Sequence, residues 1–526
     1  LASALACGAA GIAMGTRFLM TKESPVPQTS TLTAERADTQ QTHFDVLIVG
    51  AGISGIGAAY HLSDQMPEKS FVILETKDKF GGTWVTHTYP GVRSDSDLYT
   101  FGYRFKPWVG APIATADEIL KYMGEVIEEN DLGGHIRYGH TITHCRWSST
   151  DNLWTVEAIS KADGKTHFFT CNFLWMCQGY YNHDTPYTPE WPGMKDFKGR
   201  IVHPQTWPSD INLKGKKVVL IGSGATAATV VPAIADECGS LTLLQRSPTY
   251  FMPSANANEL ADRLREVGID EPTIHRVVRQ QINFDMETII RRCRTEPEAV
   301  REELFAAARE YLGPDFDLSP HFTPSYRPWQ QRVAFLPDGD LFRKIAEGKV
   351  AAVTDHIERF TENGILLKSG RELEADIIIT ATGFNLSVLG DIPFEIDDQP
   401  VDWSQTVTYR GMMFTGVPNM VWVFGYFRAS WTLRVDLLSD LVCRLLKHMD
   451  EKGAKRVEVQ LRPEDHNMPL LPWIDADNFN PGYLQRGLHL MPKRGDKIEW
   501  QHNQDYWSDK DDLPKVDLDG SEFVYS

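Results

Sequence analysis

Two nucleotide-binding α/β halves of the doubly wound, Rossmann-like kind, with a helical insertion in the second, are predicted by two observations. A strand, glycine turn, helix, strand order begins at Phe44 and recurs from Val218. Between Asn256 and Gly313 that order gives way to a charged, helical period. The length of 526 residues leaves room for more than one domain, and 42% hydrophobic residues lies in the globular range.

The first sixteen residues are uncharged and rich in Ala and Gly, and no basic stretch precedes them. They are too short to span a bilayer, and Met20 is a candidate start, so residues 1–42 read as a disordered leader. No other apolar run reaches the roughly 18 residues of a membrane helix.

Phe44–Val49 predicts a strand, Ala58–Leu62 begins a helix, and Phe71–Glu75 predicts a second strand. Between them Gly50-Ala51-Gly52-Ile53-Ser54-Gly55 is GxGxxG. Glycines at these points allow a tight turn and bring backbone close to a pyrophosphate at a helix N-terminus. The motif alone is weak, but strand, helix and acid stand where it needs them. Glu75 closes the second strand 20 residues beyond Gly55. A carboxylate there accepts from ribose hydroxyls and repels a 2′-phosphate, which suits FAD or NAD. An ordinary strand-end charge would not explain that spacing. Residues 43–185 are thus expected to form the first part of an FAD-binding domain.

The second unit runs from Val218–Ile221 through Gly222-Ser223-Gly224-Ala225-Thr226-Ala227 and a helix to Ile234, then a strand at Leu241–Gln245. Its strand ends in Gln245-Arg246-Ser247 rather than an acid. Arg246 can stack on adenine and pair with a 2′-phosphate, which predicts NADPH. As a mere surface charge it would carry no meaning. Residues 186–335 are assigned to this NADPH-binding domain, with the insertion over about 256–313. There Ile274, Val278, Ile282, Met286 and Ile290 recur every four residues, as on an amphipathic helix. The run Asp376–Thr380 leads into Ala381-Thr382-Gly383-Phe384 and is expected to return the chain to the first domain, with Thr382 and Gly383 beside a cofactor. Residues 336–526 then complete the FAD domain and end in an acidic tail, Asp509–Asp519.

Two such sites imply hydride transfer from NADPH to a bound flavin. None of the seven cysteines forms a CxxC pair, which excludes a disulfide reductase and offers no zinc site or disulfide framework. A reducing, cytoplasmic setting fits best. The electrons must pass to oxygen, a quinone or another protein. A net charge of −18 argues against nucleic acid, and Arg291-Arg292-Cys293-Arg294 reads as a solvated face.

Phe197-Lys198-Gly199-Arg200-Ile201-Val202-His203-Pro204-Gln205-Thr206-Trp207-Pro208 fits FxGxxxHxxxWP. Gly81-Gly82-Thr83-Trp84, then Tyr89-Pro90-Gly91 and Asp95, form a second signature. Together they resemble the Baeyer–Villiger monooxygenases, a group of class B flavoprotein monooxygenases. The resemblance runs from about Phe44 to Trp500, and YPGVRSDSDLYTFGY, HFTPSYRPWQQR and LHLMPKRGDK look most like the ethionamide-activating subgroup. Flavin N- and S-oxygenases look similar here but usually lack the Trp-Pro pair of Trp207-Pro208.

The resemblance implies a ketone substrate, O2 and NADPH giving an ester or lactone through a peroxide on flavin C4a. It implies that Arg332 holds the peroxide anion while Asp95 orients Arg332 and reaches toward nicotinamide; the plain alternative for Arg332 is a loop charge. It places Gly82, Thr83 and Trp84 on the flavin side, Ile142 against adenine through its main chain, and His203 beneath the interdomain linker. Many relatives carry Lys where this chain has Gln331, which throws more of the NADPH discrimination onto Arg246. Tyr426, Trp431 and Met412-Met413 are candidates for the substrate pocket or equally for an aromatic core. The rival functions are a flavin N- or S-oxygenase acting on sulfides, thioamides or amines, and a flavin reductase or electron-transfer module. The particular ketone depends on scattered pocket side chains that one sequence does not bring together.

Overall fold

A computed structural model describes residues Thr42–Ser526, so the expected leader lies outside them but for its last residue. In the strand His43–Val49 the apolar run from Val46 to Val49 is buried on both faces, which is why it reads as continuous rather than alternating. It lies parallel between Phe71–Leu74 and Thr166–Met176. Met420–Trp422 joins the end of the latter strand in parallel. Leu153–Ser160 then pairs antiparallel with both Thr166–Met176 and His140–Ser148, and Phe394–Ile396 closes on His140–Ser148. These strands belong to one nine-stranded sheet.

The helix Ile53–Gln65 packs on this sheet beside the long helix Trp431–Lys452. His61 Nε2 lies 3.0 Å from Asp436 Oδ1 in the seam between them. The second glycine turn opens a five-stranded, all-parallel sheet ordered Val350–Thr354, Ser240–Gln245, Lys217–Ile221, Ile377–Thr380, Arg200–Val202.

That sheet corrects two expectations. The second unit does not stop at residue 335, because Val350–Thr354 and Ile377–Thr380 are strands of its sheet. Ile377–Thr380, expected to lead back to the first domain, is buried along its length beside Lys217–Ile221. An Ile-Ile-Ile run announces a buried strand but not which sheet receives it. The chain crosses outward at Tyr181–Pro186 and back at Phe384–Leu386, and these two crossings pair with each other.

The insertion folds as helices Glu259–Glu266, Glu271–Thr295 and Pro297–Leu312. Ile274 and Val278 are fully buried, yet they enter the core of the first unit, whereas Met286 and Ile290 further along the same helix pack on a cluster of the second. Arg279 Nη1 donates to the carbonyls of Tyr99, Thr100 and Gly102 at 3.0, 2.8 and 2.7 Å, and its Nη2 stands 3.3 Å from Asp436 Oδ2. Removing one partner of such a buried pair costs about 3–5 kcal/mol, so the insertion clamps the two units. The supposed acidic tail is also corrected: Asp509 is buried, ion-paired with Arg434, and accepts from Tyr426 Oη at 2.7 Å. A charge is tolerated there because the guanidinium neutralises it. Among the described residues no helix is long and apolar enough to cross a membrane.

Candidate active site and cofactor cradles

The first glycine turn is shaped by a close approach. A Cβ on Gly55 would lie 1.9 Å from the Gly50 carbonyl oxygen, so only glycine lets the helix start so near the strand. Gly52 caps that helix, and Gly81 N donates to Ala51 O at 2.9 Å, which lays the Gly82-Thr83-Trp84 turn against it. Glu75 is 7% exposed; one carboxylate oxygen accepts from Ala51 N at 2.7 Å and the other from Lys77 N at 2.8 Å. Ser54 Oγ accepts from Trp431 Nε1 at 2.7 Å. Thr83 is exposed, and the Trp84 ring meets Phe101 edge-on at 5.7 Å. Ile142 sits in the strand His140–Ser148, two residues beyond His140, whose N–H donates to Glu75 O at 2.9 Å. The cradle therefore has a rigid anion-facing turn with a buried acid beside it, and it fits FAD.

The second turn repeats the device. Gly222 has φ 145°, and a Cβ there would lie 2.3 Å from Ala381 O. Gly224 caps the helix Ala225–Ile234, in which Ala227 is buried and Thr226 faces Tyr89. Ser223 Oγ donates to Ser247 O at 3.0 Å. Gln245 is corrected: its amide donates to His321 O at 2.6 Å and to Thr354 Oγ1 at 2.9 Å, so its side chain is spent inside the unit. Alternation along the strand turns the next residue outward, and Arg246 is exposed. Thr382 Oγ1 donates to Tyr187 O at 2.7 Å, and Gly383 follows the Ala381 carbonyl that the Gly222 turn meets. Arg486 was not foreseen. It stacks 3.5 Å over Tyr187 and lies within the field of Arg246; burial is the larger cause holding its pKa below the usual range. Two cations beside this turn fit the 2′-phosphate of NADPH.

Asp95 and Arg332, 237 positions apart, meet between these cradles. Arg332 Nη2 donates to Asp95 Oδ1 at 2.8 Å, and Nε stands 2.6 Å from Oδ2, off the line of a hydrogen bond. Nη2 also reaches Ser96 Oγ at 3.3 Å, and Nη1 donates to Phe427 O at 3.4 Å. Burial opposes the charge on Arg332, but Asp95 and the neighbouring tyrosines outweigh it and raise its pKa above the ordinary value. The side chains of Arg332 and Asp95 are 38% and 31% exposed, so the pair faces open volume and is not sealed in the core. Tyr180, Tyr181 and Tyr483 surround it, with Tyr180 Oη donating to Tyr181 Oη at 2.8 Å and the Tyr180 ring 5.2 Å from Trp431. These tyrosines carry no motif, and only their adjacency in the fold reveals them.

His203 Nδ1 accepts from Gln205 N at 3.1 Å, and burial lowers its pKa. Its ring lies against the backbone of Tyr187 and Gly383, one residue from each interdomain crossing. Of the candidate pocket residues, Trp431 reaches the site, whereas Met412, Met413 and Tyr426 are core. The hydroxyl of Tyr426 is held by Asp509, and Met412 and Met413 are 1% exposed.

Known proteins resemble this chain along most of its length. Residues 112–259 match the flavin-binding monooxygenase-like family, and residues 48–107 match the NAD(P)-binding Rossmann-like domain. The FAD-containing monooxygenase EthA of Mycobacterium tuberculosis is 45% identical over 469 residues, covering 89% of this chain and 94% of that protein. The probable FAD-binding monooxygenase AlmA of an Acinetobacter species is 43% identical, with 89% and 93% covered. Among solved structures, an oxidized steroid monooxygenase bound to NADP is similar with TM-score 0.71, 20% identity, and coverage of 92% and 99%. The polycyclic ketone monooxygenase of Thermothelomyces thermophila has TM-score 0.74, 16% identity, and coverage of 94% and 91%. These two similarities speak to the fold.

Proposed function

From the premise that this chain belongs to the FAD-containing class B flavoprotein monooxygenases, as its EthA and AlmA relatives show, we propose that it inserts one oxygen atom of O2 beside a ketone carbonyl to give an ester or lactone. The observation that carries this reading is the Arg332–Asp95 pair, a fixed cation held on open volume between the two cradles. Bound FAD, reduced by NADPH, supplies activated oxygen from O2.

The residues do the rest. Arg332 presents a guanidinium that cannot lose its proton near neutrality, and so favours negative charge developing on oxygen in front of it. Asp95 fixes the plane of that guanidinium and keeps one face free. Trp431, anchored on Ser54 Oγ, and Tyr180 wall one side of the space. Glu75 anchors the FAD turn, Arg246 selects NADPH, and His203 braces the crossings as the cofactors exchange. Its lowered pKa leaves the ring neutral at pH 7, which suits a brace better than a proton donor.

The test supplies the FAD-loaded enzyme with NADPH, 18O2 and 2-octanone and analyses products and hydrogen peroxide. Ester carrying one 18O, formed in step with NADPH consumption, supports the proposal. Stoichiometric peroxide without ester overturns it, and sulfoxide formed from a matched sulfide in place of ester assigns the enzyme to the S-oxygenases.

A further inference from the structure

Phe427, whose carbonyl accepts from Arg332, also lines a cavity of about 450 Å3, a size suited to a small molecule. Its apolar walls include Phe479, Trp473 and Trp507. Its polar walls are rich in arginine, and the residue after Phe427 is one of them.

Arg428 is 4% exposed. Its Nε donates to Trp329 O at 3.2 Å, and its Nη2 donates to Asn478 Oδ1 at 2.9 Å and to Asn478 O. Arg327 Nη2 donates to Asn478 O at 3.0 Å, and Arg294 Nη2 to Asn478 Oδ1 at 3.1 Å. Three guanidiniums thus converge on one neutral asparagine. Among the described residues none of the three forms an ion pair. Burial, and then the fields of Arg294 and Arg327, push the pKa of Arg428 down to about 10. A buried cation without an ion-pair partner is expensive, and one that lines a cavity marks a candidate site for an anionic ligand.

Among the described residues the carboxylates on the same walls form no ion pair with these arginines, and the field of Asp475, which favours the charge on Arg428, does not outweigh burial and the two neighbouring arginines. Asp505 caps the helix Tyr506–Asp512, accepting from Trp507 N at 3.0 Å and Ser508 N at 3.3 Å. Asp475 accepts from Asp477 N at 3.0 Å. Glu287 has its pKa raised by burial and by Asp505, against the pull of Arg291 and Arg294.

We infer that this cavity receives the carboxylate of an oxo-carboxylic acid, so that the preferred ketone carries an anionic tail. The inference rests on the ketone-oxygenation reading above. Arg428 and Arg294 meet the carboxylate, the aromatic walls take the alkyl chain, and the Phe427 backbone ties this recess to the Arg332 face.

The test is calorimetric titration of the FAD-loaded, NADP+-saturated enzyme with 7-oxooctanoate and with its methyl ester, in wild type, Arg428→Met and Arg294→Gln. Without NADPH nothing turns over, so binding is read by itself. The acid should bind wild type about tenfold or more tighter than the ester, and both variants should bring that ratio toward one, Arg428→Met furthest. Arg294 is an exposed helical residue, so Arg294→Gln reads the site even where Arg428→Met fails to fold. A wild-type ratio of one, or a ratio unchanged in the folded variants, overturns the inference. Turnover separates the two readings. Ester from 2-octanone with no preference for the acid in binding sinks the anion site alone. A binding preference with no oxygenation of either ketone upholds the anion site and sinks the oxygenation reading alone.

Discussion

The two glycine turns share a backbone geometry and differ in the residue that follows the next strand. In the first, Glu75 is buried and both its oxygens are engaged by main-chain amides. In the second, Gln245 is locked inward and Arg246 stands exposed, with Arg486 nearby. A buried, pre-bonded acid belongs to a cofactor that stays as part of the fold. An exposed cation belongs to one that is drawn in from solution by its charge. The Arg332–Asp95 pair stands between them, on the space where we propose that both cofactors act.

The largest effect should fall on that pair. Arg332→Ala should cut ester formation by about 10²–10³-fold, in line with loss of one preorganised donor, while FAD content stays full and NADPH is still consumed to peroxide. Undiminished ester yield in this variant would remove Arg332 from the chemistry. Next, Arg246→Ala should lower kcat/KM for NADPH by about 10–100-fold, the worth of a charged hydrogen bond to phosphate, and leave NADH use unaltered. Equal losses with both nucleotides would show that Arg246 only supports the strand end. Glu75→Gln should act on the other turn, weakening FAD by about tenfold as measured by flavin retained on dilution, with the NADPH constants unmoved. If NADPH binding suffers instead, the division of labour between the turns is wrong.

Much of this contrast was legible in the sequence. Glycine spacing reports a close backbone approach, and such approaches are local, so both turns, Glu75 and Arg246 could be read directly. Arg332 and Asp95 needed the family signatures, because nothing near either residue in the chain says that the two meet. What stayed hidden depends on contacts distant in sequence. The Ile377–Thr380 run did not declare its sheet, Gln245 did not reveal that its amide faces His321 and Thr354, and the acidic tail did not disclose a partner for Asp509 in Arg434. Arg428 stood in plain view, but only burial beside Arg294 and Arg327 turns it from a charge into a recognition element.

The smallest predicted effect concerns the junction that joins the two turns. His87 and His183 are each pushed down to about 4, first by burial and then by neighbouring positive groups. Their ring centroids lie 6.0 Å apart, and each leaves Nδ1 without a partner. Because the folded value lies below the unfolded one, the unfolded chain takes up protons first as pH falls. The stability held above pH about 6.5 is therefore lost progressively down to pH about 4. By pH 5 this should amount to on the order of 1 kcal/mol per histidine once residual solvent contact is discounted. Thermal melts should show a Tm a few degrees lower at pH 5 than at pH 7.5, and His87→Gln should shrink the difference. Since His183 lies on the outward crossing, hydrogen exchange should quicken first at Tyr181–Pro186 and Phe384–Leu386. Acid that loosened the glycine turns before the crossings would show that the cradles, not the junction between them, limit the stability of this fold.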